Sequence, residues 1–179
     1  MKSRSVRFNT YLTLLVLALG CGCKSTDSAD KSKDKKPSKK EATTMTLNIE
    51  ENADGSGRNS PVQIGRNEPF TVNVHKTPIL TELDVKEATV MDVMGGFQIM
   101  LQFDRKGTWV LEQYSVAARG KRLAIFSQFG EARWIAAPVL ARRIADGVLV
   151  FTPDATREEA ERIVRGLNNV AKKSQKDNW

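Results

Sequence analysis

The sequence predicts an α+β fold, a mixed but mostly antiparallel sheet packed by two helices in a single small domain. Three observations carry this. Between Leu83 and Leu167, short apolar or alternating runs follow the order strand, strand, helix, strand, strand, strand, helix, with few residues left over. Two of these segments show helical periodicity and carry the start and stop signals of helices. Gly95-Gly96 lies between two strand-like runs and marks an antiparallel hairpin. Two amphipathic helices and a sheet can bury each other's apolar faces, so this stretch can stand as a domain.

Each element has its own local reason. Met45 to Glu51 alternates apolar and polar and reads as a strand. Asn52 to Ser60 holds Asp54-Gly55-Ser56-Gly57 and reads as a flexible loop. Phe70 to Val74 alternates again and gives way at Thr77-Pro78, where proline forces its predecessor into an extended conformation. These front strands, 45–77, are expected to extend the main sheet or to form a small ribbon beside it. Ala88 to Met94 and Phe97 to Phe103 are the two arms of the hairpin, the second placing Phe97, Ile99, Leu101 and Phe103 on one face. Asp104 caps a helix whose Val110, Tyr114 and Ala117 are expected to share a buried side with Leu111 and Ala118, and Gly120 is its left-handed stop. Lys121 to Ser127 is a strand, Gln128-Phe129-Gly130-Glu131 a turn, Ala132 to Leu140 the return strand and Val148 to Phe151 a short apolar one. Thr156 and Glu159 form a capping box for the last helix, whose Ala160, Ile163, Val164, Leu167, Val170 and Ala171 stay in register. The domain is expected over 78–170, with a polar tail at 171–179.

The 179 residues carry a net charge of +7, which would ordinarily suggest a nucleic-acid partner. Its distribution argues otherwise. Lys2, Arg4 and Arg7 supply +3, and the span from Cys21 to Ala42 supplies another +3, with seven Lys against Asp27, Asp30, Asp34 and Glu41. The remainder holds 18 basic and 17 acidic side chains. A nearly neutral folded part is poorly suited to counterion-driven binding of nucleic acid. The basic start and the apolar run Tyr11 to Leu19 have the layout of an export signal, the run being far shorter than the ~20 residues that cross a bilayer. Leu17-Ala18-Leu19-Gly20-Cys21 then resembles the bacterial lipobox. The resemblance implies a signal peptide at 1–20 and lipid on Cys21, with Cys23 the rival in a worse context. Ala18 departs from the usual leucine three residues before the cysteine. Gly22, rather than Asp, after the cysteine implies sorting to the outer membrane where the cell has one. Residues 21–44, rich in Lys, Ser, Thr and Asp, read as a disordered tether with almost nothing to bury.

The domain itself resembles a known family on several motifs in order. Leu80-Thr81-Glu82-Leu83-Asp84 followed by Ala88 forms the opening segment. Gly96-Phe97 and Leu101-Gln102-Phe103-Asp104 lead into the helix, with Gly107 near its start. Gly120-Lys121-Arg122-Leu123-Ala124-Ile125, Ala137-Pro138-Val139, Gly147 and Thr156-x-Glu158-Glu159-Ala160 complete the series. Over residues 78 to 169 this resembles the head subdomain of the first periplasmic domain of SecD, an accessory subunit of the bacterial protein-export translocase. The family's Asp-Gly after its Ala-Ile strand is replaced by Ser127-Gln128-Phe129-Gly130. No run after Leu19 is long enough to match the transmembrane helices with which SecD couples export to the proton gradient.

No catalytic or metal constellation is predicted. Cys21 and Cys23 with the lone His75 do not make a metal site, Ser115 and Ser127 have no base nearby, and the glycine loop lacks both calcium-ligand and phosphate-loop signatures. No cofactor and no small-molecule substrate are implied. Trp109 and Tyr114 are expected in the core through the helix. Arg119, Lys121, Arg122, Arg142 and Arg143 read as solvated strand ends and a helix terminus. Phe129 in its turn, with Trp134 nearby, is the candidate binding surface, because exposed aromatics mark interfaces. The expected protein is a membrane-anchored, non-catalytic module of the cell envelope that binds an unfolded polypeptide or an envelope protein; the alternative is a structural or assembly lipoprotein with no export role.

Overall fold

The computed structural model describes residues 41–55 and 57–177. The expected signal peptide, Cys21, most of the expected tether and Ser56 of the glycine loop lie outside the described residues. The fold is α+β and its strands form two sheets. The larger has the order β3-β2-β8-β7-β1-β4, from strands β1 (Thr44–Ile49), β2 (Asn59–Ile64), β3 (Phe70–His75), β4 (Leu80–Thr81), β7 (Leu123–Phe129) and β8 (Glu131–Ala136). The smaller has the order β5-β6-β9, from β5 (Val85–Val93), β6 (Gly96–Phe103) and β9 (Val148–Phe151). All pairings are antiparallel except β2 with β8, which meet only at Ile64 and Trp134.

Helices α1 (Arg105–Ala117) and α2 (Arg157–Asp177) complete the fold. Asp104 caps α1 by accepting from the Gly107 N–H at 2.6 Å. Thr156 and Glu159 form the reciprocal capping box at the start of α2, at 2.9 and 3.2 Å. That helix runs on to Asp177, so most of the expected polar tail is helical. One core lies between the sheets and helices: Met45, Leu47, Leu123 and Ile125 from the large sheet, Ile99, Leu101 and Phe103 from the small one, and Leu111, Ile163 and Leu167 from the helices.

The front of the chain is part of this body. β1 pairs with β7 over six residues and with β4 on its other side, so it sits well inside the sheet that the 45–77 boundary would separate from the rest. The β2–β3 hairpin curls over the opposite face and covers a second cluster of Ile64, Val72, Val74 and Ala124. A bridge between Glu50 and Val74 brings β3 back to the end of β1, so this half of the sheet nearly closes on itself.

Three expectations need correction. β2 starts at Asn59, inside the expected Asn52 to Ser60 loop, and runs on to Ile64 through residues for which the sequence predicts no element. The return strand β8 stops at Ala136, because Pro138 has no N–H with which to continue the ladder. The buried stripe of α1 is Gly107, Leu111, Ser115 and Ala118, while Tyr114 and Ala117 face outward. The cause is Gly107. A Cβ there would lie 3.0 to 3.2 Å from Phe103 and Asp84, so the helix approaches most closely at its glycine and turns its small residues inward.

Candidate functional site

The two aromatics singled out from sequence lie on opposite faces of the large sheet. Phe129 is the last residue of β7, not a turn residue. Its ring is half-buried against the main core, and the Arg162 guanidinium covers it at 4.7 Å. Trp134 packs edge-on against Phe126, with ring centroids 5.4 Å apart, beside the second cluster under the β2–β3 hairpin. Both rings are engaged in the fold, and they do not form one surface.

The polar candidates are similarly occupied. Ser115 is fully buried; its hydroxyl donates to the Glu112 carbonyl at 2.8 Å and accepts from the Ile144 N–H at 2.9 Å. Ser127 is buried, with no partner for its hydroxyl among the described residues. The His75 Nδ1 accepts from the Thr77 N–H at 3.2 Å, a local turn contact. Within the basic group, Arg122 stacks on Phe70, Arg143 pairs with Glu112, and the Arg119 Nε donates to the Ala141 carbonyl. Among the described residues no three His, Cys, Asp or Glu side chains gather to hold a metal.

Sequence reasoning did not find the ionic network at the start of α2. Arg133, whose side chain is only 15% exposed, pairs with Asp154 at 3.1 Å and Glu159 at 3.3 Å. Arg66, from the β2–β3 loop, pairs with the same Glu159 at 2.9 Å and with Glu131 at 3.1 Å. Burial pushes the Glu159 carboxyl up. The Thr156 N–H, the Arg66 hydrogen bond and the charges of Arg66 and Arg133 outweigh that push, and its pKa ends lowered. The network ties the helix start to the β2–β3 loop and to β8. Each carboxylate in it faces an arginine, so it has no free acid–base pair.

The feature best placed to receive a ligand is a cleft of about 240 Å³ between β9 and the segment 138–144. The chain builds it as follows. After β8 the segment swings to the start of β7, where the Leu123 N–H donates to the Pro138 carbonyl and the Leu140 N–H to that of Lys121, both at 2.9 Å. It then runs beside α1, fastened by the Ser115 and Arg119 contacts. It turns back at Gly147, where φ is +67° and a Cβ would strike Thr108, and enters β9. The walls are Pro138, Val139, Leu140 and Arg142 on one side and Val148 and Val150 on the other. Val139 is 51% exposed and Val150 38%.

β9 turns an open edge to this cleft. The Phe103 N–H donates to the Gly147 carbonyl at 2.9 Å, and Gln102 opposes Val148. Backbone bonds alternate along an antiparallel pair, so Gly147, Leu149 and Phe151 bond to β6 while Val148 and Val150 point theirs the other way. The Asp146 side chain accepts from the Val148 N–H at 3.1 Å. Among the described residues the N–H and carbonyl of Val150 have no partner. On the opposite edge of the small sheet, Ala88 of β5 is covered. There the Asn168 side-chain amide both accepts from and donates to the backbone of Ala88, at 2.9 Å each, beside the β5 bulge. In the large sheet, β3 is tied back to β1, and β4 has only two residues. An unpaired strand edge is a template for another extended chain.

The model of the SecDF P1 head subdomain family matches residues 59–171. The match begins well before residue 78 and takes in the β2–β3 hairpin. No curated protein matches the chain. A solved structure described as a membrane component SecDF that enhances protein export is similar at 21% identity and a TM-score of 0.52, over 73% of this chain and 64% of that one. SecDF in its Super-membrane-facing form is similar at 21% identity and a TM-score of 0.53, over 73% of this chain and 19% of that one. The chain thus spans less than two thirds of the first and about a fifth of the second, and at this identity the likeness is one of fold. No helix among the described residues is long and apolar enough to cross a membrane. With the two-helix, two-sheet body and a family match over more than half its length, the chain belongs to the SecDF P1 head subdomain family.

Proposed function

We propose that the protein is a lipid-anchored module of the cell envelope whose head binds extended polypeptide, accessory to protein export and without catalysis of its own. Residues 1–20 are the signal peptide, Cys21 carries the lipid, residues 21–44 are the tether, and the head works on the outer side of the membrane to which the lipid holds it. The single observation that carries the binding role is the open β9 edge. An apolar-walled cleft meets a strand whose Val150 backbone groups have no partner among the described residues, in a family whose solved relatives include a component that enhances protein export. Main-chain hydrogen bonds give such a site affinity for any extended segment, and the valines favour apolar ones.

Two experiments test the proposal. Growth with a labelled lipid precursor should label the wild type and leave Cys21→Ser unlabelled; a wild type that takes up no label removes the anchor. Fluorescence anisotropy of a labelled, unfolded export precursor should report saturable binding to the purified protein, competed by apolar peptides. A protein that ignores unfolded chains and instead co-purifies with one fixed stoichiometric partner has the assembly role.

A further inference from the structure

We infer that the outward face of α1 rests on the anionic surface of the membrane, independently of what the β9 cleft binds. The buried stripe of α1 is Gly107, Leu111, Ser115 and Ala118. At 100° per residue the direction opposite that stripe is occupied by Trp109, with Arg105, Gln113 and Val116 around it. Trp109 is 63% exposed and Val116 58%. A large indole and a valine seven residues apart, both aimed away from the core, form the apolar centre of a face. Its ends are cationic and exposed: Arg105 and Lys106 at the start of the helix, Arg119 just past its end.

Two of the three carboxylates near this face are in ion pairs. Asp84 pairs with Lys106 at 3.0 Å, Glu112 pairs with Arg143, and Asp104 accepts from the N-terminal turn of the helix. The Arg119 Nε donates to the Ala141 carbonyl, and among the described residues Arg105 has no acidic partner. A tryptophan between such cations has the composition that favours the headgroup region of an anionic bilayer, where indole rings and Lys or Arg side chains gather. A protein partner would need a matching acidic rim around an apolar pocket. The membrane offers both over its whole surface. α1 docking also lays the helix flat and fixes which side of the head faces away from the bilayer.

The test uses the full-length chain with Trp134→Phe and Trp179→Phe, so that Trp109 alone fluoresces. If that variant folds poorly, the signal is the difference between wild type and Trp109→Phe. The chain is mixed with vesicles of about three parts phosphatidylcholine to one part phosphatidylglycerol, the former brominated, and with vesicles of phosphatidylcholine alone. On anionic vesicles bromine should quench Trp109 and acrylamide should lose access to it. Arg105→Ala should weaken the effect about fivefold. Salt at about 1 M, where the Debye length is about 3 Å, should reverse the shielding of Trp109 even if the N-terminal segment keeps the chain on the vesicle. The inference is overturned if Trp109 stays fully open to acrylamide on a chain bound to anionic vesicles. It is equally overturned if neutral vesicles shield Trp109 as well, if Trp109 is shielded only on adding a protein fraction, or if the chain ignores anionic vesicles altogether. None of these outcomes bears on precursor binding, which the anisotropy assay reads separately.

Discussion

Gly166 lies in the middle of α2, where glycine is a poor choice by about 1 kcal/mol relative to alanine. The structure gives a reason for it. A Cβ at this position would lie 2.9 Å from both the backbone nitrogen and the Cβ of Thr43, and nearer still to its hydroxyl. The hydroxyl can rotate away, but the backbone cannot. Gly166→Ala therefore gains about 1 kcal/mol in helix propensity and loses about 1–3 kcal/mol to overpacking. The net expectation is a loss of about 1 kcal/mol, which urea denaturation followed by helical circular dichroism would register as a midpoint lower by about 0.5 M. The sign decides the matter. If Gly166→Ala raises the midpoint, α2 does not lie against the start of β1, and the placement of residues 41–49 inside the body is wrong. Thr43→Gly removes the side-chain part of the clash, so in that background Gly166→Ala should cost less.

Three further outcomes follow from the same contacts. Glu159 has a lowered pKa, so the stability its ion pairs contribute is present above the ordinary value of 4.5 and is lost as pH falls through the lowered value. The melting temperature of the wild type should fall more steeply below that pH than that of Glu159→Gln, and parallel curves would remove the network's role. Val150→Pro should leave stability nearly unchanged, since the lost N–H faces the cleft, yet reduce precursor affinity severalfold in the anisotropy assay; Leu149→Pro, which breaks a ladder bond, should destabilise by about 3 kcal/mol. Phe129→Ala should cost about 2 kcal/mol, roughly half the value for a fully buried ring, with precursor affinity unchanged. A loss of affinity at full stability would return Phe129 to the binding surface.

What the sequence made legible was local. Asp104, Gly120 and the Thr156–Glu159 pair mark helix ends through hydrogen bonds made within a few residues, and the Gly95-Gly96 hairpin is equally short-range. β2 was hidden because Asn59 to Ile64 contains Pro61. The structure shows why proline is tolerated there. The Lys76 N–H donates to the Arg58 carbonyl at 2.9 Å, so the alternation of the ladder turns the Pro61 nitrogen away from β3. β8 touches β2 only at Ile64, so no ladder bond is lost. The candidate aromatics misled for a related reason. Whether Phe129 is bare or covered depends on Arg162, and whether Trp109 points inward depends on Gly107 meeting Asp84; neither is visible in local periodicity. The β9 cleft was beyond reach from sequence, because its walls come from a non-repetitive segment held by α1 and from a strand whose partner lies about fifty residues earlier in the chain.

Site-specific photo-crosslinking tests the central claim most directly. A photoreactive amino acid is placed at Val139, on the cleft wall, in the full-length protein in living cells during export. Binding along the β9 edge should give crosslinks to many different precursor chains, lost when Val150→Pro is added. Crosslinks to a single fixed protein, or an unchanged precursor pattern in the Val150→Pro background, would contradict it.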